Sequence, residues 1–176
     1  MLGPDGFKIN ISVQFWDLIK MDVHQIVDAS RISGGILKAF NATFLTLIPK
    51  TEGADDPSLF RPISLCNVIY KLITNITTNI LKPFLPSLIS AKQSGFVEGR
   101  QILDGILLVN EVAHSLKTTQ KPGMMLKADM AKAFDKLSWD FIKAILKAFS
   151  FGEDWIRWTM SLISSAFFSI LVNDVP

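Results

Sequence analysis

The sequence predicts a helix-rich α+β fold with short antiparallel strands, and three features carry that prediction. Long segments repeat apolar residues every three to four positions, the period of a helix. Shorter runs, at residues 41–50, 124–129 and 167–173, read as strands instead. Clusters of Gly, Pro and Asp separate the two kinds of segment.

The opening "GPDGF" is a turn by its Gly, Pro and Asp content. "QFWDLIKMDVHQIVDAS" then places Phe15, Leu18, Ile19, Val23, Ile26 and Val27 at helix spacing, and Ser33, Gly34 and Gly35 break that helix. "NATFLTLIPK" alternates as a strand that Pro49 stops, and "TEGADDPSLF" (51–60) is an acidic loop. After Pro62, Ser64 is placed to cap a long helix through Leu65, Ile69, Leu72, Ile76 and Ile80, which Pro83 and Pro86 end or kink. "AKQSGFVEGRQ" is a loop, and a helix is expected over about 102–116. In the strand "MMLKAD", period two sets Met125, Lys127 and Asp129 on one face. Two more helices follow, one near 139–149 and one opening with Glu153 and Asp154, acids that suit the positive end of the helix dipole. "FFSILVN" reads as a strand and "NDVP" as a turn, so the chain is expected to be a truncated piece of something larger.

At 176 residues there is one large domain or a domain and a half, long enough to bury a core. The net charge of +2 does not announce a nucleic-acid partner by itself. One cysteine, Cys66, excludes an internal disulfide and suits a reducing intracellular setting. The most apolar stretch, 162–172, falls short of the roughly 20 residues that span a bilayer. No basic-then-apolar leader opens the chain, so a soluble intracellular protein with no membrane partner is expected.

The chemistry concentrates in "LKADMAKAFDKLSW". Asp129 closes a strand, where an ionised carboxylate needs a cation or strong hydrogen bonds, and Asp135 follows one turn on. That is half a site for Mg²⁺, which takes one or two protein carboxylates and completes its shell with water and phosphate. It is also, and more commonly, the pattern of a helix cap, and spacing alone does not settle the question. Arg61 suits bidentate phosphate contact or a strand edge. Lys50 reads as a phosphate contact or an ordinary edge-strand lysine. Arg100 sits among loop glycines that allow close backbone approach, or pairs with Glu98 or Asp104. His24 and His114 have no ligand partner at metal spacing, and Trp16, Trp139, Trp155 and Trp158 fit packing.

Taken in order, "GPDGF", "NATFLTLIPK", "FRPISLCNVIYKLI", "QSGFVEGRQILD" and "LKADMAKAFDKLSW" resemble the reverse transcriptases of non-LTR, LINE-type retrotransposons, in particular those of plants. The resemblance implies a partial right-hand polymerase over residues 1–176. About 1–120 would be an N-terminal extension and fingers, and about 121–176 the start of the palm. It implies that Asp129 is the catalytic, Mg²⁺-binding carboxylate of the first polymerase motif and that Phe134 lies under the nucleotide sugar and rejects a 2′-hydroxyl. Asp135 fits the pattern without becoming a ligand. Lys50 and Arg61 would hold the triphosphate, and Gln93, Arg100 and Asp104 would lie near the template or the palm. The implied partners are an RNA template, a DNA primer and a deoxynucleoside triphosphate.

The paired-aspartate hairpin, the Gly- and Gln-containing motif before it, and the thumb are absent, and Asp174 stands where the family usually has Gly. One carboxylate of three cannot clamp two ions, so these residues alone are expected to be inactive. The competing expectations are a non-catalytic nucleic-acid-binding remnant and a relic with no independent function.

Overall fold

The computed structural model describes residues 2–120, 122–124, 126 and 136–171. Asp129, Phe134, Asp135 and most of the expected strand 124–129 lie outside the described residues. The chain divides into two compact units, residues 1–77 with 139–176, and residues 78–138.

In the first unit, α1 (Ile9–Gln14) and α2 (Trp16–Ser33) lead to β1 (Ala42–Pro49). As the sequence predicts, α2 stops at glycine. Gly34 takes the left-handed conformation (φ 65°), which has no Cβ penalty, and the Gly34 and Gly35 amides close on the Arg31 and Ser30 carbonyls. A 3₁₀ turn (Pro57–Leu59) and β2 (Phe60–Cys66) follow, then α3 (Val68–Leu81), whose last residues run into the second unit. The unit resumes with α6 (Trp139–Ala148), α7 (Glu153–Ser164) and β3 (Phe167–Ile170).

These strands form one sheet in the order β2-β1-β3. β1 pairs with β2 antiparallel, from Thr43 opposite Cys66 to Pro49 opposite Phe60. β1 pairs with β3 parallel, from Ala42 opposite Phe167 to Leu45 opposite Ile170. The expectation of antiparallel strands is therefore corrected to a small mixed sheet. A hairpin can join antiparallel neighbours, but β3 arrives through helices, as a parallel neighbour requires. Pro62 sits within β2, where its missing N–H is tolerated because β2 is at the edge of the sheet among the described residues.

A second correction concerns Ser64 and Leu65. They do not open the long helix; they pair with Leu45 and Phe44 in β2, and α3 begins at Val68. Main-chain pairing along β1 outweighs the local cap signal. The helix is capped from far away instead: the Asp5 carboxylate (Oδ2) accepts the Val68 amide at 2.6 Å.

The core gathers α2, α3 and α7. Ile73, Trp158 and Leu162 are buried, with Ile26, Val27, Ile36, Ile69, Tyr70 and Trp155 packed around them. Several of its polar atoms are hydrogen-bonded, as burial favours, while Trp155 Nε1, Thr159 Oγ1 and Asn41 Oδ1 are buried without a partner among the described residues. The Trp158 indole N–H donates to the Ser30 hydroxyl at 2.9 Å, and that hydroxyl donates to the Gly35 carbonyl at 2.6 Å. The Tyr70 hydroxyl donates to the Leu162 carbonyl at 3.1 Å, and burial pushes its pKa up, with the Cys66 charge adding to the shift. Asn41, fully buried, donates to Ser165 Oγ (2.8 Å) and the Leu162 carbonyl (3.2 Å), while its own carbonyl accepts the Phe167 amide. One residue thus ties the end of α7 and the start of β3 to the start of β1. Between α6 and α7, Lys147 meets Glu153 at 2.8 Å, and that hydrogen bond holds the exposed Glu153 carboxyl below its ordinary range. Of the tryptophans, Trp158 is core and Trp155 stacks on Phe151 at 4.6 Å, while Trp16 and Trp139 are exposed.

The second unit contains a 3₁₀ turn (Lys82–Phe84), the single turn α4 (Leu85–Leu88) and α5 (Ile102–Thr118). Helix α5 follows the predicted spacing, yet none of its residues is buried, and Ile102, Leu103, Ile106 and Leu107 stay exposed. Among the described residues no helix is long and apolar enough to cross a membrane.

Candidate nucleotide-binding site

Lys50 and Arg61 both lie at the loop end of the β1–β2 hairpin. Arg61 lies opposite Ile48, and the Lys50 amide extends the ladder by donating to the Leu59 carbonyl at 2.8 Å. Cross-strand partners project to one face, and residues two apart share it. Ile48 and Arg61 therefore share a face, and Lys50 follows at the bend just past β1.

The connecting loop is built to hold this arrangement. Asp56 accepts the Ser58 amide at 2.7 Å and so fixes the start of the 3₁₀ turn, with Pro57 at its first position. Gly53 supplies a left-handed residue (φ 72°). Lys50 Nζ reaches across and donates to the Ser58 carbonyl at 2.7 Å. That bond is exposed, so a phosphate can replace it at small cost. Lys50 is exposed just past the end of β1, where β2 is the one strand beside it among the described residues, as the edge-strand reading expects. The Arg61 side chain is exposed and has no hydrogen-bond or ion-pair partner among the described residues. An arginine held on a strand with its fork unused is pre-organised for an oxyanion.

The residues predicted in the second unit have a different setting. The Arg100 guanidinium donates to four main-chain carbonyls: Ser90 and Gln93 at 2.7 Å, Ile89 at 3.0 Å and Pro86 at 3.2 Å. It pairs with neither Glu98 nor Asp104 among the described ion pairs. Its visible work is to fold the 86–100 segment around itself. Gln93 is exposed on that segment, its amide N–H donating to the Gly95 carbonyl at 3.3 Å. Asp104 lies in the first turn of α5. No cluster of three or more His, Cys, Asp or Glu that could hold a metal occurs among the described residues. Asp129, the expected metal ligand, lies outside them.

Sequence reasoning missed Asp5, Asn41 and Asn67. "GPDGF" gave a local signal for a turn, but nothing local to it indicates that its carboxylate reaches a helix 63 positions on.

The fold is thus a helix-rich α+β unit with a small mixed sheet, and its β1–β2 hairpin carries Lys50 and Arg61 at the loop end. The family model for reverse transcriptase (RNA-dependent DNA polymerase) matches residues 48–174, well over half of the chain, and the chain belongs to that family. It is 28% identical over 171 residues to the transposon TX1 uncharacterized 149 kDa protein of Xenopus laevis, covering 97% of this chain and 13% of that protein. It is 23% identical over 135 residues to a retrovirus-related Pol polyprotein from type-1 retrotransposable element R2 of Nasonia vitripennis, covering 77% of this chain and 13% of that protein. The chain thus spans about an eighth of the length of these relatives. Both are proteins of transposable elements, the kind to which the motif order points; neither organism is a plant.

Proposed function

We propose that this chain supplies the fingers and the opening of the palm of an RNA-directed DNA polymerase of a non-LTR retrotransposon. Residues to about 120 form the fingers with their N-terminal extension, and residues from about 121 begin the palm of the right-hand fold. The parent reaction adds deoxynucleotides to a DNA 3′ end on an RNA template and releases pyrophosphate.

Lys50 and Arg61 hold the triphosphate of the incoming nucleotide, where oriented positive charge carries much of phosphoryl-transfer catalysis. Asp129 holds Mg²⁺, which when bound neutralises phosphate charge. Phe134 lies against the sugar, and Gln93 faces template on a segment whose shape Arg100 maintains. The observation that supports this most strongly is the placement of Lys50 and Arg61 at the loop end of the hairpin, with the Arg61 side chain unpartnered among the described residues.

Titration of the 176-residue protein with a fluorescent deoxynucleoside triphosphate, with and without Mg²⁺, tests the reading. Saturable Mg²⁺-dependent binding that weakens in Arg61→Ala and Asp129→Asn supports it. Absence of binding, or binding indifferent to both substitutions, refutes it.

A further inference from the structure

The motif "GPDGF" enters the sequence only as a turn, and triphosphate binding makes no use of it. In the structure its residues have separate physical reasons to be what they are. Gly3 is buried, and a Cβ there would stand 2.5 Å from the Cys66 carbonyl oxygen, a main-chain atom that cannot swing aside. The Gly6 amide donates to the Gly3 carbonyl at 2.9 Å, and Gly6 takes φ 68°, a conformation that favours glycine. Asp5 then makes contacts through both main chain and side chain. Its amide donates to Asn67 Oδ1 at 2.8 Å, and its carboxylate accepts the Val68 amide at 2.6 Å and the Phe7 amide at 3.2 Å.

Asn67 completes the arrangement. Its carbonyl accepts the Lys71 amide, so it occupies the N-cap position of α3, where an Asn side chain ordinarily bonds its own helix. Here that side chain points away. Its amide donates to the Ala39 carbonyl at 2.7 Å and the Phe40 carbonyl at 3.2 Å, and Asp5 takes over the capping. A local cap would have served helix stability alone. The exchange instead joins the chain entering β1, the chain leaving β2 and the first amide of α3 in one clasp.

The two ends gathered there are the base of the β1–β2 hairpin, and its tip carries Lys50 and Arg61. An eight-residue strand such as β1 is about 26 Å long at roughly 3.3 Å per residue, so a tilt of about 10° at the base moves the tip about 4–5 Å. Displacements of about 1 Å already impair a positioned catalytic group about a hundredfold. Small errors at the base are thus large errors at the phosphate.

We propose that Gly3, Asp5 and Asn67 are positioning residues that set the angle at which the hairpin presents Lys50 and Arg61 to a nucleoside triphosphate. The inference rests on the reading of those two cations as triphosphate ligands.

The test measures binding of a fluorescent deoxynucleoside triphosphate with Mg²⁺ to the full 176-residue protein, beside its thermal midpoint. Asp5→Ala is expected to weaken binding about tenfold or more, and Asp5→Asn, which keeps an acceptor for the Val68 amide, to restore it to within about threefold. Asp5→Glu keeps the charge but lengthens the reach, so its binding weakens while its midpoint stays close to the parent. Ser30→Ala, a core substitution remote from the clasp, lowers the midpoint and leaves binding unchanged. Should Asp5→Ala fail to fold, Asp5→Glu decides: weakened binding supports the clasp and parental binding overturns it. If Arg61→Ala weakens binding but folded clasp variants bind like the parent, the positioning role is refuted while the triphosphate reading stands. If the parent protein does not bind at all, both fall.

Discussion

The indole of Trp158 and the hydroxyl of Ser30 are joined by a buried 2.9 Å hydrogen bond between residues 128 positions apart. The same hydroxyl passes a bond on to the Gly35 carbonyl, so one serine links α7, α2 and the turn that ends α2. Removing it leaves a buried donor without a partner, which costs about 1–3 kcal/mol. Ser30→Ala is expected to destabilise the protein by that amount in urea unfolding. In a Trp158→Phe background, where the donor is already gone, the same substitution should do markedly less. Equal effects in both backgrounds would contradict the coupling.

Tyr70 gives the fold an alkaline limit. Burial raises its pKa above the ordinary 10.0 in the folded chain, so the neutral phenol is the form the core accepts. For a raised pKa the contribution is fully present below the unfolded value and is lost as pH rises through the folded one. Stability should therefore decline above about pH 10, and Tyr70→Phe should remove that part of the decline. At neutral pH the substitution costs about 0.5–1.5 kcal/mol, toward the lower figure, because Asn41 still serves the Leu162 carbonyl. Chemical denaturation at pH 7, 9 and 10.5 separates the two effects.

Much of the fold was legible in the sequence where the signal is local. α2 ends at Gly34, which needs no tertiary partner to take a left-handed conformation. β1 and α5 follow their periodicity directly. The failures are non-local. Ser64 looks like a cap because its partner strand is not visible from its own neighbours, and the parallel pairing of β1 with β3 depends on where intervening helices lie. Within the candidate site, the types of Lys50 and Arg61 were readable, and their placement at one end of a hairpin became definite only with the register. Arg100 shows the converse: its residue type suggests an anion, while its four carbonyl partners belong to the main chain around it.

That clasp of carbonyls predicts a local effect. Arg100→Ala frees four acceptors at once, so amide exchange over 86–100 should accelerate by at least tenfold while protection in α2 and α7 stays as in the parent. Arg100→Lys should recover little of it, because an ammonium cannot reproduce the planar fork. Hydrogen–deuterium exchange read by mass spectrometry reports both; a global rise in exchange would contradict a local role.

At the hairpin tip the two cations should differ. The Arg61 side chain is exposed and unpartnered among the described residues, so Arg61→Ala should leave stability within about 0.5 kcal/mol of the parent. A charge-assisted, bidentate phosphate contact is worth about 1.5–3 kcal/mol, so the same change should weaken triphosphate binding by roughly 10- to 100-fold. Arg61→Lys should recover only part, and Lys50→Ala should weaken binding less, since Lys50 first gives up its bond to the Ser58 carbonyl. Binding isotherms on folded variants check the order.

The most direct test of the account is photolabelling with a deoxynucleoside triphosphate that carries an azidoanilide on its γ-phosphate, in the presence of Mg²⁺, followed by peptide mapping. The account predicts that the label falls within residues 48–63, is displaced by unmodified nucleotide, and drops sharply in Arg61→Ala. Label confined to the segment 136–171, or label on the hairpin that Arg61→Ala leaves unchanged, would contradict it.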